Sequence, residues 1–188
     1  MDALLIALLG CLLGEMGDKG QWLALALAAR FRKDGAVIAG IVVAAIANAA
    51  VGAAAGAFMA PMLGSDARLL FLALALIFLA IGMFWPVRQP DPLASWRTGP
   101  FLTTAIGLFI LGFGDGAQFL ILGTAVRTAD PLLAATGGAI GIVAATVPVV
   151  LWRDHLFKAL PLAAIRRGGG ILVLLAGLAA AASALHLA

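Results

Sequence analysis

The stretch Leu13-Gly-Glu-Met-Gly-Asp-Lys-Gly-Gln-Trp22 places Glu15, Asp18 and Lys19 inside a run that is apolar on both sides. A reduced copy, Leu111-Gly-Phe-Gly-Asp-Gly-Ala-Gln-Phe119, follows at a constant offset, with Asp115 standing 97 positions after Asp18. Charge in the middle of a hydrophobic span is expensive, so acids placed there point to a functional site by default. Their repetition suggests a site assembled where two halves of one chain meet.

The surrounding composition is that of a membrane protein. Of 188 residues, 64% are apolar and 11% charged, the latter about half the usual share of a soluble domain. The net charge of +3 is no nucleic-acid footprint, because the basic residues gather in short loops rather than on one soluble face. The single cysteine, Cys11, excludes an internal disulfide framework and a cysteine-based metal site; it reads as a small buried apolar residue. The N-terminus lacks a basic n-region and carries Asp2 instead, so it reads as a retained first helix rather than a signal peptide. No Walker sequence is present, which argues against ATP-driven transport by this chain alone.

About 20 apolar residues are needed to cross the hydrocarbon as helix. Six candidate spans follow: Ala3–Ala29, Ala36–Met59, Leu69–Val87, Phe101–Val126, Leu132–Trp152 and Gly169–Leu187. The connections are polar and rich in Pro and Gly, as helix stops should be. Arg30, Arg32, Lys33, Arg88, Arg97, Arg153, Lys158, Arg166 and Arg167 fall in the first, third and fifth connections, against Arg68 and Arg127 on the other side. That bias places the odd connections in the cytoplasm and both termini outside. Trp85, Trp96 and Trp152 then sit at the cytoplasmic interface, as membrane-interface aromatics do.

The offset that superposes the acidic motifs also lays the second span on the fifth and the third on the sixth. The expected fold is all-α: six transmembrane helices in two three-helix repeats, residues 1–87 and 101–188, joined by a cytoplasmic linker at 88–100. An odd number of spans per repeat gives the halves opposite polarity, the inverted-repeat plan of many secondary transporters.

On one helix Glu15 and Asp18, three apart, share a face that Gln21 extends. Asp115 and Gln118 repeat the Asp–Gln pair. Facing copies would converge three carboxylates and two amide groups. That oxygen set suits calcium, magnesium or manganese rather than zinc or copper. The same carboxylates can bind a proton or a cation, which is the minimum requirement for antiport; sodium is equally compatible as counter-ion. His155 and His186 lie in a loop and at the C-terminus, away from any such site. Lys19 reads either as a built-in counter-charge for an empty site or as half of a buried ion pair. Asn48, at mid-depth of the second span, reads as a further ligand or as a helix–helix hydrogen bond. Glycines at 14, 17 and 20 and at 112, 114 and 116 fit a locally unwound segment or close helix packing. Gly52 and Gly56, and Gly137 and Gly141, form small-residue packing faces, and Pro148 is a candidate kink.

The string Glu15-Met-Gly-Asp-Lys19 resembles the signature Glu-x-Gly-Asp-(Lys/Arg)-(Thr/Ser) of the calcium/manganese cation antiporters of Golgi, chloroplast and bacterial membranes, within the lysine-exporter superfamily. The resemblance covers essentially the whole chain. It implies two three-helix halves and export of manganese or calcium, with protons as the exchanged ion. It also implies Glu15, Asp18 and Asp115 as ion ligands supported by Gln21 and Gln118. The chain departs from the pattern at Gly20, Gly112, Gly116 and Ala117. Its site is one carboxylate and two hydroxyls poorer than the pattern. The expected protein is a bacterial inner-membrane carrier and not an enzyme, with no resident cofactor. Its partners are a divalent metal ion, protons and the lipid bilayer, and a homodimer is left open. The rival readings are an exporter of amino acids or small cationic metabolites, and a non-transporting membrane subunit.

Overall fold

Ala, Leu, Ile and Val fill the runs between polar connections, and in hydrocarbon such runs satisfy their backbone groups only by folding as helix. The computed structural model describes residues 1–153, 155 and 160–186, among which there is no strand. Its helices are α1 (Asp2–Glu15), α2 (Lys19–Phe31), α3 (Asp34–Met59), α4 (Ser65–Phe84), α5 (Pro100–Gly112), α6 (Gly116–Thr128), α7 (Pro131–Trp152) and α8 (Leu162–Ala184), with a short 3-10 turn at Ala60–Met62.

Four of these are long and apolar enough to cross a bilayer: α3 with its 3-10 extension, α4, α7 and α8. The α5–α6 pair, bent by 67° at its break, qualifies as a fifth when taken together. The chain is therefore an all-helical, multi-pass membrane protein. Helices α1 and α2 have 14 and 13 residues, about 20 Å each at 1.5 Å per residue, against a hydrocarbon core of about 30 Å. Exposed apolar side chains on several helices fit the same setting, among them Leu5, Leu9, Phe58, Leu74 and Leu172.

The two predicted spans that carry the acidic motifs are thus each split. The last helix also differs from expectation, since it begins at Leu162 rather than Gly169 and takes Arg166 and Arg167 out of the fifth connection. Lys158 lies outside the described residues. Helix α7 runs unbroken through Pro148.

Helix α1 lies along α7, α3 along α5, and α4 along α8. The small residues make these approaches close. A Cβ on Gly141 would stand 3.0 Å from the Leu12 amide nitrogen, and one on Gly52 2.9 Å from the Gln118 carbonyl oxygen. One core cluster gathers Cys11, Leu79, Leu120 and Ile121; a second gathers Leu23, Leu27, Ile41 and Val150. The linker is stitched under α2 by Arg30. Its guanidinium donates to the carbonyls of Leu93, Ala94 and Trp96 and lies 4.6 Å from the Phe31 ring centroid.

Candidate cation site at two helix breaks

Each acidic motif sits at the junction of two half-helices. Glu15 ends α1, Gly17 turns the chain at φ +72°, and Asp18 is the N-cap of α2. Gly112 ends α5, Gly114 turns at φ +74°, and Asp115 is the N-cap of α6. Only glycine adopts that left-handed backbone without penalty.

A glutamine braces each turn. The Gly17 amide donates to Gln21 Oε1 at 2.9 Å, and Gln21 Nε2 donates to the Ala145 carbonyl at 2.7 Å. The Gly114 amide donates to Gln118 Oε1 at 2.7 Å, and Gln118 Nε2 donates to the Asn48 carbonyl at 3.2 Å and to Asn48 Oδ1 at 3.4 Å. Each brace ties its break to the neighbouring full-length helix, α7 or α3. The hydrogen bonds of both glutamines are thus orienting bonds.

Glu15 is buried, and its Oε2 lies 2.9 Å from where a Cβ on Gly20 would stand. Its carboxylate therefore rests on the first turn of α2, at the positive end of that helix dipole. Asp115 Oδ1 accepts from the Gly116 amide at 2.7 Å, and its Oδ2 is 3.4 Å from Lys19 Nζ. Asp18 Oδ1 is 3.0 Å from Arg166 Nη1.

Two cavities share this ground. A tight one of about 40 Å³ is lined by Glu15, Lys19, Asn48, Asp115, Gln118 and Thr146, among others. A second of about 170 Å³ is lined by Glu15, Asp18, Asp115 and Arg166 with Phe78 and Leu79. Glu15 and Asp115 face both; Asp18 faces the second alone. Among the described residues, no three acidic, His or Cys side chains are gathered as a ready metal-binding set. Asp18 and Asp115 each hold a basic partner instead. Oxygen chemistry suited to a hard divalent cation is present, with two of its three carboxylates already paired to tethered cations.

The space opposite Glu15's counterpart is filled differently. A Cβ on Gly112 would stand 2.7 Å from Asn48 Nδ2. Asn48 is buried and occupies the room where a longer side chain at 112 would go. His186 pairs at 3.4 Å with Asp66, both largely exposed, and Cys11 Sγ donates to the Ala117 carbonyl at 3.6 Å. Neither joins the acids.

Arg166 is the member of this site that sequence reasoning assigned to a loop. Its signal was its phase: Gly169, Gly170, Val173 and Gly177 continue its buried face along α8. The repeat offers no warning, since the same offset sets Arg166 on Leu69.

Comparison with known proteins identifies the family. The family described as "Divalent cation/proton antiporter GDT1" matches residues 3–91 and 100–187. A protein of Vibrio cholerae serotype O1 (strain ATCC 39541 / Classical Ogawa 395 / O395) named "Putative manganese exporter" is 33% identical over 182 residues. The match covers 96% of this chain and 91% of the relative. No solved structure matches the chain.

Proposed function

This chain belongs to the divalent cation/proton antiporter family GDT1, and from that premise we propose that it exports manganese from the cytoplasm in exchange for protons, with calcium as a second substrate. Glu15, Asp18 and Asp115 bind the ion. Gln21 and Gln118 hold the breaks in register, Asn48 lends an accessory oxygen, and Lys19 balances the charge of the empty site. No covalent chemistry is involved.

The observation that carries this reading is the pair of matching helix breaks, each presenting an aspartate as the N-cap of its second half-helix. In this reading α1–α2 and α5–α6 are two broken spans, which brings the total to six in two inverted halves. The offset of 97 supports it beyond the motifs. It relates the two glycine turns, the two glutamine braces, and the left-handed residues Arg32 (φ +52°) and Ala129 (φ +53°) that end α2 and α6. It also relates the α1–α7 packing to α5–α3.

The halves depart from symmetry in one respect. Helix α6 packs along α4, whereas α2 has no comparable seat on α8. A vestibule of about 350 Å³ occupies that gap, lined by Gly17, Trp22, Trp85, Leu162, Ala163 and Arg166, among others. With the basic connections in the cytoplasm of a bacterial inner membrane and both termini outside, this is a state open inward. An ion enters there, and alternating access would require α2 to close on α8 while α6 leaves α4.

Protons and metal compete for the same three carboxylates, so acidification on one side releases metal there and drives net metal flux toward it. Proteoliposomes loaded with manganese should show flux toward the acidic side, and Asp18→Asn or Asp115→Asn should reduce it at least tenfold, the loss of one charged ligand. Unchanged flux in both variants would sink the assignment.

A further inference from the structure

Arg166 stands between the vestibule and the acids, lining both the 350 Å³ and the 170 Å³ cavities. Its side chain is 9% exposed. The guanidinium makes three directed contacts: Nη1 donates to Asp18 Oδ1 at 3.0 Å, Nη2 to the Gly82 carbonyl at 2.8 Å, and Nε to the Met83 carbonyl at 3.3 Å. The two carbonyls belong to the last turn of α4, whose dipole end is negative. The aliphatic stem lies against the first break, with Cδ 3.1 Å from where a Cβ on Gly17 would stand. One residue thus ties α8, α4 and the α1–α2 break together, and it does so through a carboxylate of the proposed ion site.

We propose that Arg166 is a tethered cation that holds Asp18 in the metal-free protein and bars the way from the vestibule to the acids. A divalent ion entering from the vestibule must displace the guanidinium from Asp18, because two cations drawn to one half-buried carboxylate repel each other. Displacement cuts the bond between α8 and the first break. Occupancy of the site and freedom of α8 are thereby linked in one step. The idea rests on the transport reading above and adds to it a residue that competes with the substrate.

Replacement of Arg166 by Gln removes the charge and keeps a donor for the α4 carbonyls. Manganese binding to the purified full chain, followed by titration calorimetry, should tighten about tenfold in Arg166→Gln, the effect of one adjacent charge on a carboxylate. Arg166→Lys should stay near the wild type. In the unmodified protein, phenylglyoxal labelling of Arg166, followed by peptide mass spectrometry, should rise when manganese is added. Unchanged or weaker binding in a well-folded Arg166→Gln, or labelling that does not rise with manganese, would overturn the proposal and leave Arg166 as a cap on α4. A wild type that moves manganese while either of these results holds sinks only this inference. A wild type that neither binds nor moves manganese sinks the transport reading with it.

Discussion

At the scale of single residues, the decisive feature is how the charges are paired. Of the three acids, Asp18 and Asp115 lie 3.0 and 3.4 Å from Arg166 and Lys19, while Glu15 rests on a helix N-terminus. The acids were legible in the sequence because charge inside an apolar run is rare and costly. Their partners were not, since Arg166 reaches Asp18 across 148 positions. Gly112 and Asn48 show the same limit. The missing second-motif carboxylate reads in the sequence as a loss, but the space is taken by Asn48 from α3. Gly112→Ala should therefore lower stability by about 1–3 kcal/mol through overpacking. Asn48→Ala in the same chain should recover part of that loss. A thermal-unfolding comparison of the two single variants and the double variant checks it, and strictly additive losses would refute the contact.

At the scale of elements, two of the helices predicted as continuous are pairs of half-helices. The glycine density in both motifs allowed either an unwound segment or tight packing, because glycine serves both purposes. The positive φ at Gly17 and Gly114 decides for unwinding at those two positions, while Gly52 and Gly141 serve packing. What keeps the breaks ordered is the glutamine three residues beyond each aspartate. Gln118→Ala would take the acceptor from the exposed Gly114 amide and the donor from buried Asn48. It should cost about 0.5–1.5 kcal/mol, the net worth of a hydrogen bond whose donor water can reach, and should raise hydrogen exchange at the α5–α6 junction. Exchange equal to the wild type at residues 112–116 would remove the brace from the account. The start of α8 was misread for a related reason. Two arginines look like loop residues in a hydropathy reading, yet one of them, itself buried, faces the Asp18 carboxylate and helix carbonyls that satisfy it.

At the scale of the whole molecule, the pairing of α6 with α4 and the gap between α2 and α8 distinguish two halves that are alike in sequence plan. In the proposed transport cycle, that gap is the way from the cytoplasm to the acids. Ala163→Cys, in a chain whose Cys11 is replaced by Ala, should react with a membrane-impermeant thiol reagent from the cytoplasmic face and resist it from outside. Labelling from the outside would reverse the orientation argued from the basic connections. The sequence by itself determined that the chain is a helical membrane protein with a repeated acidic motif. Hydropathy, charge content and internal repetition are additive along the chain and survive without knowledge of what touches what. Only the tertiary structure decided which acids are ion-paired, where the helices break and which half-helix packs on its neighbour. Those outcomes depend on desolvated contacts between helices far apart in sequence, and on a difference between halves that their shared pattern conceals.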